Sequence, residues 1–170
     1  MGVAGAGKSS VGAALARALG VAYAEGDDWH PPENRARMAA GIPLTDEDRA
    51  PWLAALAGRI AESRREGTGL VLACSALKRR YRDVLRQSGA IRFIYLRGTR
   101  PLIAERLEGR SGHFMPATLL DSQLSALEEP APDEDAWSYD VTAPVDEIVL
   151  DIVGRLVRGA ATRAGGDDVG

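Results

Sequence analysis

Cysteine is almost missing from this chain. Cys74 stands alone, so no internal disulfide can form, and a reducing cytoplasm fits. No apolar run approaches the ~20 residues that a membrane-spanning helix needs. The opening residues also lack the basic-then-apolar pattern of a secretory signal. Lysine is scarce: of 21 Lys plus Arg, only Lys8 and Lys78 are lysines. An ammonium and a guanidinium differ in size and geometry, which marks those two positions as places where a compact cation is wanted. Histidine is confined to His30 and His113, both in polar stretches flanked by Gly or Pro. The net charge of -3 argues against a broad nucleic-acid surface, so an anion site must be built locally.

What is present reads as one domain of alternating strands and helices. The 170 residues are 45% hydrophobic and 26% charged, ordinary values for a single-core globular protein. Val11, Leu15 and Leu19 recur at four-residue spacing and predict a helix closed by Gly20. A short strand ending in acid follows in "VAYAEGDDWH", then a helix opened by Pro31 and Pro32 and ended by Gly41. Thr45 and Asp48 resemble a capping box, but Pro51 sits deep for that start, which leaves Ala50 as an alternative first residue. "LVLACSA" reads as a strand buried on both faces. "LKRRYRDVLRQSG" is a basic helix and "IRFIYL" a strand. Thr99 is placed to cap the next helix. "ATLLDSQLSALEE" is a helix ended by Pro130, "SYDVTAP" a weak strand, and the segment from Val145 an amphipathic helix. The domain is expected to span residues 1–160, with residues 161–170 a disordered tail. Strands alternating with helices mean an α/β fold with a parallel sheet flanked by helices.

The chemistry begins with "GVAGAGKS", which fits G-x-x-x-x-G-K-S from Gly2 to Ser9 and is followed by a helix. Gly2, Gly5 and Gly7 let the backbone turn so that N–H groups converge on phosphate oxygens. The whole stretch through Ala4, Ala6 and Ser10 is expected to hold the nucleotide. The helix start adds its positive end. Lys8 would bridge the β- and γ-phosphates of ATP, and Ser9 would hold Mg2+ through its hydroxyl. Only Met1 precedes Gly2, whereas such a loop normally hangs off a buried strand. The strand tally is four where five are usual, so the first strand is expected to be truncated, with Met1 standing inside a longer chain.

A phosphate loop does not by itself say kinase. A GTPase needs an Asn-Lys-x-Asp motif to read its base, and lysines only at 8 and 78 exclude one. A motor-type ATPase normally carries an apolar strand ending in Asp, whereas "LVLACSA" ends in Cys74 and Ser75. The acid must come from elsewhere, and "EGDDWH" supplies it. Ligands of a doubly wound sheet sit outside the carboxyl ends of the strands, which puts Glu25, Asp27, Asp28 and His30 beside the loop. Asp27 is the candidate to accept or orient the proton of an attacking hydroxyl.

The chain resembles the small P-loop gluconokinases, relatives of shikimate kinase and the nucleoside-monophosphate kinases. "GVAGAGKSSVG", "EGDDWHPPENRARMAAGIPLTDEDRAPWL", "ACSALKRRYRDVLR", "FIYLRG" and "GHFMPATLLDSQLSALEEP" carry the resemblance, from Gly2 to about Val153. It implies a P-loop kinase fold and phosphorylation of D-gluconate by ATP with Mg2+. It also implies a cytoplasmic enzyme of a kind that is often a homodimer. Gluconate is a polyhydroxy carboxylate, and Asp27, His30, Arg49, Ser75, Lys78 and Arg82 are the available binding set. Arg49 or Arg82 would grip the carboxylate by paired hydrogen bonds, with Lys78 nearer the hydroxyls or phosphate. "RLEGRSGHFMP" resembles the lid of this kinase group, near residues 109–117. Arg106 and Arg110 lie one helical turn apart and would neutralise the migrating phosphoryl or stack on adenine. His113 would bind gluconate or pack the closed lid. Two other readings stand beside this one: a kinase for another small acid such as shikimate, and a nucleotide-binding module without turnover.

Overall fold

The computed structural model describes residues 1–109 and 117–164. Eleven elements of regular structure follow one another: α1 (Lys8–Leu19), β1 (Ala22–Glu25), α2 (Pro32–Ala39), α3 (Asp46–Glu66), β2 (Leu70–Ala73), α4 (Arg79–Arg86), β3 (Phe93–Arg97), α5 (Arg100–Glu108), α6 (Ala117–Ala126), β4 (Ala136–Asp140) and α7 (Val145–Ala164). A single 3-10 turn, Gly26–Trp29, joins β1 to the segment before α2.

Local signals explain most boundaries. Gly20 ends α1 in the left-handed conformation, its N–H donating to the carbonyls of Ala16 and Arg17. The capping box of α3 is complete. Thr45 Oγ1 accepts from the Asp48 N–H, and Asp48 Oδ2 accepts from the Thr45 N–H. Two capped donors outweigh the misplaced proline, so α3 starts at Asp46 and keeps Pro51 inside it. The alternative start at Ala50 is thereby corrected. Thr99 occupies the N-cap position of α5 without using its side chain. At the other end α7 runs on to Ala164, into the range expected to be tail, carried by alanines of high helix propensity.

Strands pair in parallel, but in two separate pairs. β1 lies on β2, with Ala22 opposite Leu70, and β3 lies on β4, with Phe93 opposite Ala136. No strand among the described residues lies between β2 and β3. Met1 bridges them instead: its carbonyl accepts from the Leu96 N–H, its amine donates to the Ile94 carbonyl, and the next N–H, of Gly2, donates to Ser75. Below Met1 the two pairs flank an apolar slot of about 560 Å³, walled by Leu15, Ile60, Leu72, Phe93, Ile94 and Ile152. The slot explains why Leu70, Val71 and Leu72 are only half-buried, where the sequence predicted a strand covered on both faces.

Helices cover both faces. On one side Val11, Leu15, Ile103, Ile148 and Ile152 join Leu96 in a common core. On the other, Trp52, Leu56, Ile60 and Leu85 pack with Phe93 and Tyr95. Fully burying an aliphatic side chain contributes about 1.5–3 kcal/mol, so α1, α3 and α7 are held chiefly by these contacts. The phosphate loop leaves Met1 at the centre of this sandwich, at the carboxyl ends of the strands. That is where ligands of such sheets bind.

Candidate active site

One cleft of about 650 Å³ opens at those strand ends, and the phosphate loop forms its floor. Gly7 adopts φ +84° at the N-cap of α1, and no acidic side chain occupies the first helical turn. The N–H groups of a helix's first turn have no intrahelical partner, and its positive end favours an anion. Ala4, Gly5, Gly7, Lys8 and Ser9 line the cleft. Lys8 Nζ donates to the Val3 carbonyl. Gly2, Ala6 and Ser10 do not line it. The N–H of Gly2 is held by Ser75 and that of Ala6 by Val3, while Ser10 is exposed on α1. Gly2 and Ala6 thus shape the loop, and Ser10 follows Ser9 in the first turn of α1. A side chain at Gly2 would stand 2.7 Å from the Leu96 carbonyl oxygen.

The acid wall is the 3-10 turn after β1. Glu25, Asp27, Asp28 and His30 all face the cleft. Gly26 packs so closely under β2 that a Cβ there would come within 2.6 Å of the Ala73 carbonyl oxygen. Trp52, fully buried on α3, donates its Nε1–H to the Gly26 carbonyl at 2.7 Å. The His30 ring stacks on Trp52, with centroids 4.4 Å apart. The turn carrying Asp27 is therefore clamped from below. Loss of hydration raises the Asp27 pKa; Lys8 opposes the shift, Glu25 and Asp28 add to it, and Arg49 opposes it. A carboxylate that holds its proton more readily than usual suits proton acceptance. His30 is driven the other way, to about 4, by burial and then by Arg49 and Arg35. It is a neutral hydrogen-bonding group at physiological pH, and its buried Nδ1 has no partner among the described residues.

Trp52 reads in the sequence as a core residue. It is one, but its indole N–H is also what fixes the acid wall. Trp52→Phe is expected to leave the Gly26 carbonyl unpaired, at about 1–3 kcal/mol. Displacing Asp27 should lower kcat roughly 10-fold or more. Melting curves and steady-state kinetics check both, and an unchanged kcat would show that the clamp does not govern Asp27.

The opposite wall is cationic. Arg49 of α3 and Ser75 and Lys78 of the loop after β2 line the cleft together with Tyr81. Lys78 Nζ donates to Asp46 Oδ1 at 3.0 Å. The Tyr81 hydroxyl and Arg80 donate to the same carboxylate. Those hydrogen bonds, Tyr81 first and then Lys78, hold the Asp46 carboxyl below its usual range. The Tyr81 ring lies within 6 Å of Arg49, Lys78 and Arg80. In the sequence Asp46 is only an acid in a helix's first turn; its role in orienting Lys78 comes from a contact 32 residues away.

Two predicted residues lie elsewhere. Arg82 is fully buried behind the cleft, forked onto Glu134 at 2.6 and 2.7 Å. Its remaining nitrogen donates to the carbonyls of Ala76, Leu77 and Glu128. It does not face the cleft, so the expectation that it grips a substrate carboxylate is corrected. Arg106 donates to the Val141 carbonyl at 2.6 Å, beside the turn after β4 and away from the cleft lining. Arg110 and His113, and most of the predicted lid, fall outside the described residues.

Known proteins resemble this chain over most of its length. A sequence model of the shikimate kinase family matches residues 4–140. A gluconokinase of Gluconobacter oxydans is 50% identical over 135 residues, 79% of this chain and 76% of that protein. The thermoresistant gluconokinase of Escherichia coli is 40% identical over 161 residues, 94% and 92% of the two chains. Among solved structures, a gluconokinase from Sinorhizobium meliloti superposes with a TM-score of 0.87 at 48% identity, covering 98% of this chain and 94% of that one.

Proposed function

The chain belongs to the shikimate kinase family and, within it, to the gluconokinases, and from that premise we propose that it transfers the γ-phosphoryl group of ATP to the 6-hydroxyl of D-gluconate. The observation that carries the reading is the gathering, around one cleft, of a phosphate loop, an acid of raised pKa and a cationic wall. ATP lies along the loop with Lys8 on its terminal phosphates. Gluconate lies across the mouth, its 6-hydroxyl toward Asp27 and its carboxylate toward Arg49. Lys78, His30 and Ser75 take its hydroxyls. Asp27 accepts the proton as the hydroxyl oxygen attacks phosphorus, and the charge building on the phosphoryl is met by Lys8 and the loop N–H groups.

Mg2+ fits this site. Ser9 offers a hydroxyl at the cleft floor, with carboxylates opposite to hold the ion's waters. When bound it would neutralise phosphate charge. A lid near residues 109–117 would exclude water as a competing acceptor. The reading extends to a cytoplasmic homodimer. The lone, buried Cys74 and the lack of any described helix apolar and long enough to cross a membrane support the location. Sedimentation would test the assembly.

A coupled assay across gluconate, other sugar acids and shikimate decides the substrate. Gluconate should be turned over far faster than shikimate. Lys8→Ala should lower kcat by about 10²–10³-fold, the usual loss for one group stabilising transition-state charge. Preference for shikimate would overturn the acceptor assignment. Nucleotide binding without transfer to any acceptor would overturn catalysis itself.

A further inference from the structure

We propose that Gln123 is a hydrogen-bond donor to the phosphoryl group in transfer, held in place by the phosphate loop itself. The inference rests on the kinase reading above and adds a residue to its machinery. Gln123 lies on α6, 119 positions from the loop in sequence, yet its Oε1 accepts the Ala4 N–H at 2.7 Å. A backbone N–H can be received only by the oxygen of a carboxamide, never by its NH2 group. The contact therefore fixes which way the amide faces. With Oε1 on the loop, Nε2 and its two hydrogens are turned away from Ala4. No acceptor among the described residues takes them up, and Gln123 lines the same cleft as Lys8, Ser9 and Asp27.

The consequence is chemical. Ala4 stands in the first half of the loop, ahead of Lys8, and its one donor is spent on Gln123. What the loop gives up there as a single N–H is replaced by a side chain carrying two donors on the same side of the cleft. A neutral amide stabilises charge growing on a phosphoryl oxygen without drawing net charge into the site. Because it is already bound, it needs no reorganisation during the step. Ala4, Gln123 and the transferring group would form one hydrogen-bonded chain, with α6 as its outer anchor.

Two variants separate this role from mere shaping of the loop. Gln123→Met keeps the volume and removes both functions of the amide. Gln123→Glu keeps an oxygen for Ala4 and removes the donors. Both are expected to lower kcat by about 10²-fold at pH 8, with melting temperatures close to wild type. The Glu variant should recover relative to wild type as pH falls, because a protonated carboxyl regains a donor. Calorimetry gives a readout free of turnover. Gln123→Met should weaken a non-hydrolysable ATP analogue about 10-fold but leave ADP, which lacks the γ-phosphate, unchanged. Equal weakening of ADP and the analogue would overturn the proposal in favour of loop shaping. So would a Glu variant as fast as wild type at pH 8. Wild-type turnover of gluconate is measured alongside: its failure sinks the acceptor assignment, while the nucleotide pair still decides Gln123.

Discussion

Asp27→Asn is expected to lower kcat for gluconate phosphorylation by about 10²–10⁴-fold, the range for losing a positioned general base, with nucleotide affinity nearly unchanged. Asparagine keeps the size and loses the basic oxygen. Direction follows from the site. Burial in the cleft raises the Asp27 pKa above its ordinary 3.8, so the enzyme's acid limb should lie above the usual carboxylate range, with kcat falling as pH drops through it. The variant's residual rate should lack that limb. Stability moves in the opposite sense. A raised folded-state pKa means that folding favours the protonated acid. That contribution is complete below the unfolded value and is lost as pH rises through the folded one. Above its folded value the native fold therefore carries an ionised acid that it disfavours, and there Asp27→Asn should melt higher than wild type. The gain should vanish in acid. A variant within tenfold of wild-type kcat would remove Asp27 from the chemistry, and one melting lower at pH 8 would contradict the raised pKa.

Arg82→Met should destabilise the protein by about 3–5 kcal/mol, because it strands a buried Glu134 that has lost its fork. For a chain of this size that is roughly 6–20 °C in Tm. Replacing both Arg82 and Glu134 by apolar residues should restore much of the loss, since no buried charge is then left unpaired. The pair does more than hold itself. Arg82 donates to the Ala76 carbonyl, and Ala76 is the one non-glycine among the described residues with positive φ, at 43°. That strained bend turns the chain between Ser75 and Lys78, so the buried guanidinium sets the cationic wall without touching it. Arg82 first, with burial opposing and Ala131 and Arg86 assisting, lowers the Glu134 pKa from 4.5 to about 2. Its stabilisation is therefore present above pH 4.5 and lost as pH falls toward 2. A cold assay distinguishes the two roles considered for Arg82. A gripping residue would raise the gluconate KM at unchanged Tm, whereas the buried fork predicts a large loss of Tm first.

Legibility in the sequence varied with how local each signal was. The phosphate loop, the helix after it and the capping box of Thr45 and Asp48 are written in neighbouring residues, and the structure places them as read. Asp27 was reachable because a strand end in this fold points at the ligand. Arg82 was misread because its spacing along a basic helix cannot say which face meets Glu134, 52 residues away. The hydrogen bonds of Trp52 and Gln123 are invisible in the sequence for the same reason. Their hydrogen-bond partners, Gly26 and Ala4, lie far off in sequence.

The sequence by itself determined the chemistry class: a phosphate loop, the acid beside it, scarce lysines placed with purpose and a family pattern running almost the whole chain. Hydrogen-bonding capacity and short-range geometry travel with residue type and spacing, so those survive without a structure. Only the tertiary structure decided which arginine faces the cleft and which is buried behind it, and what clamps the acid wall. It also revealed the slot left between the two strand pairs beneath "MGVAGAGKSS". Those outcomes depend on partners brought together by the sandwich, because burial and desolvation are properties of the packed neighbourhood and not of the residue.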